Sequence, residues 1–216
     1  MKKAILFGAS GFVGSCLLAD LLNNPDYSGV TVVVRKGLQV EHPKLKILIG
    51  DYSSLPGLRE SIEADEVFVT LGTTKKKTPD EKLYYQVDHD YPVLAAKIGK
   101  ERGAKAVFVV TAVGADAGSG IFYVRTKGET ERDIIALGFE HTHIFRPSMI
   151  MGNRAESRPL EKFLIGVFRV INPVFGSGKY RGIEGKDIAR AMNNAAAKVQ
   201  TEKVKVYQWK EMNELL

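Results

Sequence analysis

Tyr123 and Lys127, in the run Tyr123-Val124-Arg125-Thr126-Lys127, stand four residues apart in a stretch of helical pattern, so both side chains fall on one helix face. A free phenol, with a pKa near 10, is a poor acid or base at neutral pH. An ammonium beside it, together with any second cation bound nearby, favours the phenolate; bringing the phenol to about 7 takes roughly 4 kcal/mol of differential stabilisation. Thr111 closes an apolar run 12 residues before the tyrosine, where its hydroxyl is suited to donate to a substrate oxygen and hold it beside the phenol. The chemistry this trio offers is proton transfer at a carbonyl or alcohol oxygen. Taken alone, the same Tyr/Lys spacing also describes an exposed amphipathic helix.

A second set of residues is suited to phosphate. Gly8-Ala9-Ser10-Gly11-Phe12-Val13-Gly14 follows the apolar run Ala4–Phe7 and precedes a helical pattern from Val13 to Leu22. In that order of strand, turn and helix, Gly8 allows the tight turn, Gly11 the approach of backbone to a pyrophosphate, and Gly14 close packing of helix on sheet. The helix start adds free N–H groups and the positive end of the dipole. The expected dinucleotide contacts are therefore Gly8, Ser10, Gly11, Phe12, Val13 and Gly14; the alternative is a strand-to-helix turn that merely needs flexible backbone. Given a dinucleotide, nicotinamide is the second cation, and the trio becomes machinery for hydride transfer.

The residue type about 20 positions beyond the last glycine separates the two dinucleotides, because an acid there holds a free ribose 2′-hydroxyl. Arg35 occupies that place, in Val34-Arg35-Lys36, and no acid accompanies it. A guanidinium fork matches a 2′-phosphate, which favours NADP(H) over NAD(H). The alternative is a surface arginine closing a strand. Asp51, after Leu48-Ile49-Gly50, is placed to accept the adenine amino group, or else to cap the helix that follows. Leu71, Gly72 and Thr73, after a further strand, belong at the carboxyl edge of the sheet beside the cofactor, unless Gly72 only permits a turn.

These residues need a scaffold that places strand ends along one edge. Val30–Val34, Leu45–Ile49, Val67–Leu71, Ala106–Val110 and Thr142–Phe145 are short, Val- and Ile-rich runs that predict strands. Helical patterns lie between them at Leu58–Glu63, at Asp80–Arg102 with a break or kink at Pro92, and at Lys127–Leu137. Alternating buried strands and helices imply an α/β fold, a Rossmann-type doubly wound parallel sheet. After Arg146 the alternation weakens into helical patterns at Leu160–Val170 and Asp187–Val199 and a strand at Lys203–Trp209. Without a Pro-, Gly- or Ser-rich linker, residues 1–216 read as one domain in which residues 147–216 pack at the sheet's C-terminal edge and shape a pocket. Gly176-Ser177-Gly178-Lys179 resembles a phosphate loop but lacks its first glycine and its Ser or Thr.

Composition narrows the classes further. Hydrophobic residues at 44% and charged residues at 26% support a folded globular chain, and no apolar run reaches the ~20 residues of a bilayer span. Met1-Lys2-Lys3 leads into a four-residue apolar run that reads as a strand, so cytoplasmic residence is the default expectation. One cysteine, Cys16, excludes an internal disulfide, and no metal-ligand cluster is evident. The net charge of +6 is spread out apart from Lys75-Lys76-Lys77, a solvated loop or a steering patch for an anionic ligand, and no nucleic-acid motif accompanies it.

In combination these residues resemble the short-chain dehydrogenases/reductases, specifically atypical extended-type members of the NAD(P)-dependent epimerase/dehydratase superfamily, nearest the Tat-interacting-protein-like oxidoreductases. The resemblance is carried by Gly8–Gly14, Arg35, Gly50-Asp51, Leu71-Gly72-Thr73-Thr74, Val113-Gly114-Ala115-Asp116, Tyr123–Lys127, Arg146-Pro147-Ser148 and Gly152-Asn153-Arg154. It implies that Tyr123 is the acid/base, that Lys127 lowers its pKa and holds the nicotinamide ribose, and that Thr111 replaces the usual serine. It also implies that Pro147 and Ser148 line the nicotinamide. Only 70 residues follow Arg146, fewer than extended members carry, which argues against a nucleotide-sugar epimerase and for a small carbonyl or alcohol substrate or a protein partner. Two readings result: an NADP(H)-dependent oxidoreductase, or an NADPH-binding regulatory protein of the same fold with vestigial catalysis. Neither the substrate nor the oligomeric state follows from these residues.

Overall fold

The computed structural model describes residues 1–152, 181–199 and 201–216. Seven parallel strands form the main sheet: β1 (Lys2–Phe7), β2 (Tyr27–Val34), β3 (Leu45–Ile49), β4 (Glu66–Val69), β5 (Ala106–Val110), β6 (His141–Phe145) and β9 (Val204–Tyr207). Their order across the sheet is β3-β2-β1-β4-β5-β6-β9, so the chain winds outward in both directions from β1 and β4 and reverses between them. That reversal is where ligands of such sheets bind. A small parallel pair, β7 (Ile150–Met151) with β8 (Ile183–Glu184), stands apart.

Both faces of the sheet are buried, which is why the strands are apolar on successive residues instead of alternating. Ala4, Leu6, Val30, Val32, Phe68 and Phe108 pack on one face with α1 (Phe12–Asn23) and α6 (Gly185–Ala197). Ile5, Phe7, Val67, Val69, Val107 and Val109 pack on the other with α4 (Tyr91–Glu101) and α5 (Phe122–Ala136). On the first face Phe68 stacks on Phe108 at 4.7 Å between centroids, Phe108 stacks on His143 at 4.5 Å, and the His143 Nδ1 bonds the Tyr207 hydroxyl at 2.9 Å. The last strand is thereby tied to the middle of the sheet.

Residues beyond 147 therefore do more than shape an edge: β9 extends the sheet in register with β6, and α6 packs on α1. The pattern Leu160–Val170, the segment Gly176–Lys179 and the Asn153-Arg154 pair lie outside the described residues. Boundaries moved elsewhere too. The helix expected at Leu58–Glu63 is α2 (Leu55–Leu58) followed by a 3₁₀ turn (Arg59–Ser61), and α5 begins five residues before Lys127.

The stretch Asp80–Arg102 breaks before Pro92 and not at it. α3 (Glu81–Tyr85), capped by Asp80, runs into a π-helical turn (Gln86–Asp90) and then into α4, with Pro92 in its first turn. Proline has no N–H, so the carbonyl four residues earlier, that of Asp88, loses its helical partner. The buried Thr130 hydroxyl on α5 takes that place, 2.8 Å from the Asp88 carbonyl and equally 2.8 Å from the carbonyl of Thr126. One proline thus links two helices through the backbone of one aspartate.

Candidate active site

A dinucleotide's pyrophosphate needs donors and close approach of backbone, and the glycine turn is built for both. Gly8 has φ +95°, a conformation that side chains rarely adopt, and the Gly11 N–H donates to its carbonyl at 2.9 Å. A Cβ added to Gly14 would lie 2.1 Å from the Gly8 oxygen, so the start of α1 sits directly on the turn. Gly11 caps α1 with no side-chain bond, and the first turn holds no acid, which suits an anion. Ser10 and Gly11 are exposed, whereas Val13 and Gly14 are buried. Phe12 turns its ring the other way: Cβ atoms added to Gly152 or Gly185 would meet it at 2.2 and 2.3 Å. Its contribution to the motif is therefore its backbone.

Arg35 is exposed just beyond β2, one residue past Val34. It and Asp51 both act on Tyr91: burial pushes that phenol up to about 12, the Asp51 charge adds to the rise, and Arg35 opposes it. The Asp51 carboxylate orders its own loop. Its Oδ1 accepts from the Ser53 N–H at 3.0 Å, the Ser53 hydroxyl at 2.7 Å, and the Ser54 N–H and hydroxyl at 3.0 Å. These bonds hold its carboxyl down at about 2. The carboxylate thus shapes the loop ahead of α2 (Leu55–Leu58), whose N-cap position is taken by Ser54 and not by Asp51.

Leu71, Gly72 and Thr73 follow β4, and this loop reaches Asp88 and Lys127. A Cβ on Gly72 would stand 3.5 Å from Asp88 Oδ1 and 3.7 Å from the Lys127 Nζ, and the Thr73 N–H donates to Asp88 Oδ2 at 2.7 Å. Lys127 donates to Asp88 Oδ1 at 2.7 Å, with both residues buried. Burial alone would lower the Lys127 pKa; the negative charge of Asp88, with smaller contributions from Tyr123 and Glu131, outweighs it and moves the value up. Lys127 is therefore an ammonium in the interior.

Tyr123, Lys127 and Glu131 succeed one another at four-residue intervals on the same face of α5. Glu131, 3% exposed, takes a two-pronged contact from Arg146: Nε to Oε1 at 2.9 Å and Nη2 to Oε2 at 2.5 Å. Thr111 donates its hydroxyl to the same Oε1 at 2.5 Å. The Thr111 hydroxyl, expected from the sequence to donate to a substrate oxygen, is thus bonded to Glu131 within the chain. A buried carboxylate demands donors, and Thr111, one residue past β5, supplies one. Pro147 is buried beside it, its carbonyl accepting from Val113 N–H at 2.9 Å, while the Ser148 hydroxyl donates to the Arg181 carbonyl at 2.6 Å.

The sequence alone does not single out Asp88, Glu131 or Thr130, and Arg146 enters there only within the run Arg146-Pro147-Ser148, without a role of its own. Glu131 had a signal, an acid one turn beyond Lys127 on its face; so did Asp88, an acid four residues before a proline in a helical run. Among the described residues no group of three or more His, Cys, Asp or Glu side chains is placed to hold a metal. Among them, too, no helix is long and apolar enough to cross a membrane.

The sequence family described as NAD(P)H-binding matches residues 8–162. The mitochondrial protein fmp52 of Aspergillus fumigatus is 34% identical over 206 residues, 92% of this chain and 88% of that one. The mitochondrial FMP52 of Candida albicans is 32% identical over 163 residues, 73% of this chain and 71% of that one. Relatives named as mitochondrial overturn cytoplasmic residence as the expectation for this chain. Among solved structures, MoeE5 in complex with UDP-glucuronic acid and NAD superposes with a TM-score of 0.71 at 19% identity, covering 99% of this chain and 82% of that one. The Bordetella bronchiseptica enzyme WbmH in complex with NAD⁺ also gives 0.71, at 18% identity, covering 97% and 76%. The chain belongs to the family described as NAD(P)H-binding and has a Rossmann-type fold, shared with those solved structures.

Proposed function

We propose that this protein is an NADP(H)-dependent oxidoreductase acting on a small carbonyl or alcohol, with Tyr123 as the acid/base. The observation that carries the reading is the alignment of Tyr123 with a buried, charged Lys127 on α5, beside the loop after β4 and across the sheet edge from the glycine turn. When bound, the nicotinamide supplies or accepts the hydride. Backbone N–H groups around Gly8–Gly14 hold the pyrophosphate, and Arg35 pairs with the 2′-phosphate. Tyr123 gives a proton to the carbonyl oxygen as the alcohol forms, or removes it in the reverse direction. Lys127 bears the charge that steadies the phenolate left behind. Thr111, through Glu131, holds the next turn of α5 against the ends of β5 and β6.

The test pairs a cofactor titration with a screen of small aldehydes, ketones and quinones followed by NADPH absorbance. Tyr123→Phe is expected to keep its affinity for NADPH and lose turnover at least ~100-fold, the scale of a lost general acid. Lys127→Ala is expected to impair both. Full activity in Tyr123→Phe contradicts the mechanism. One observation favours the second reading, a regulatory NADPH-binding protein: the Thr111 proton and the Lys127 ammonium already have partners within the chain. Tight NADPH binding with no turnover across the whole screen supports that reading. On either reading, residence follows the mitochondrial relatives.

A further inference from the structure

We propose that the turn formed by residues 74–78, which carries Lys75, Lys76 and Lys77, binds an anionic group of the substrate, so that the carbonyl compound this site takes bears a carboxylate or a phosphate. The proposal rests on the oxidoreductase reading above and names its substrate class.

The lysine run is folded into a closed turn. The Thr74 carbonyl accepts from the N–H groups of both Lys77 and Thr78 at 2.9 Å, and the Thr74 hydroxyl accepts from the Lys77 N–H at 3.3 Å. The Thr73 and Thr78 hydroxyls, bonded at 2.9 Å, fasten its base. On one side the Thr73 N–H donates to Asp88 Oδ2 at 2.7 Å, and Asp88 holds Lys127; on the other, Asp80 caps α3 by accepting from the Leu83 N–H at 2.9 Å. The turn is therefore rooted on the Asp88–Lys127 pair.

Cations outnumber anions along this loop. Residues 75–82 hold four lysines against two acids, and both acids are engaged, Asp80 as the cap and Glu81 with Lys75 at 3.1 Å across exposed surface. An exposed pair of that kind contributes little. Lys76 is exposed and has no partner among the described residues. Three consecutive ammonium groups in one closed turn repel each other, and an anion taken among them relieves that repulsion. The anions of the dinucleotide have other places on the reading above, the pyrophosphate at the glycine turn after β1 and the 2′-phosphate at Arg35 after β2. The lysine turn follows β4 and comes after the contact with Asp88, toward the end of the site where Lys127 stands. A third anion there belongs to the substrate, and holding it fixes one end of a molecule whose carbonyl must reach Tyr123.

The test compares carbonyl pairs that differ by one anionic group: succinic semialdehyde with butanal, and glyceraldehyde 3-phosphate with glyceraldehyde, each followed by NADPH absorbance at fixed ionic strength. The charged member of at least one pair is expected to have the larger kcat/KM, by about tenfold or more, and the pair that shows it tells carboxylate from phosphate. Lys76→Gln/Lys77→Gln should raise KM for that member about tenfold, with kcat and the neutral member unchanged, and Lys76→Gln alone should give part of the effect. Added salt should shrink the advantage. Lys97→Gln, which removes an exposed charge of α4 outside the turn, should leave it intact. A second measurement needs no turnover: calorimetric titration with succinate and with glycerol 3-phosphate, in the presence and absence of NADP⁺, should show binding in the parent that the double variant weakens about tenfold. If no carbonyl is reduced, the oxidoreductase reading fails and this titration alone decides for the turn. A neutral member used equally well, a preference that survives the double variant, an equal loss in Lys97→Gln, or no binding of either anion overturns the proposal. So does a loss confined to NADPH affinity, which would assign the lysines to the cofactor.

Discussion

The two halves of the candidate site are built from different materials. The glycine turn between β1 and α1 works through backbone: a left-handed Gly8, a contact that only glycine at 14 permits, and N–H groups with no side-chain cap. The α5 half works through charged side chains paired in the interior, Asp88 with Lys127 and Glu131 with the half-buried Arg146, drawn from three separate stretches of chain. A backbone site is open and ready for an anion, whereas a side-chain site must satisfy its own charges before it can serve a ligand. Recognition and chemistry therefore differ in what damages them.

The largest effect is expected on the side-chain half. Lys127→Met leaves Asp88 buried without its counter-ion and should cost about 3–5 kcal/mol in urea unfolding. A loss under 1 kcal/mol would mean that Asp88 reaches water or another partner. A buried but uncharged group of the same sheet end sharpens the contrast through pH. Burial of the β6 residue His143 between the rings of Phe108 and Tyr207, with the charges of His141 and Lys205, brings its pKa from 6.5 down to about 4. The unfolded chain then takes up a proton first as pH falls, so stability is whole above 6.5 and declines between 6.5 and 4, by up to about 3 kcal/mol. Thermal unfolding across that window, with His143→Gln flattening the decline, checks it.

The backbone half should respond differently. Gly14→Ala drives a Cβ to 2.1 Å from the Gly8 oxygen and is expected to cost about 1–3 kcal/mol of stability with a larger proportional loss of cofactor affinity. Equilibrium unfolding and fluorescence titration of the same sample separate the two losses. Should Gly14→Ala bind cofactor as the parent does, the turn is not the phosphate site.

The same division explains what could be read from residues alone. Leu45–Ile49 and Ala106–Val110 are strands over those very residues; the second is a Val-rich run with both faces buried, which carries its own signal, and the first, on the half-exposed edge strand, shows as a short Leu- and Ile-rich run. The glycine turn was equally legible, since backbone recognition leaves glycines at fixed spacing. The start of α5 was placed five residues late, because Phe122–Thr126 offers no capping side chain to mark it. Pro92 announced a break, but a proline acts on the carbonyl four residues behind it, so the distortion and its consequence fall on Asp88. Thr111 was expected to face a substrate. That expectation omitted Glu131, whose need for donors arises only once α5 lies across the ends of β5 and β6.

The smallest expected effect is also the most direct measure of the central claim, that the backbone half is completed by Arg35 as a site for NADP(H). Calorimetric titration of the protein and of Arg35→Ala with NADPH and with NADH should show the parent binding NADPH more tightly. The variant should lose most of that preference, about 1–3 kcal/mol for a charge-assisted contact, with its affinity for NADH little changed. Equal affinity for the two dinucleotides in the parent, or a preference untouched by Arg35→Ala, would contradict the account.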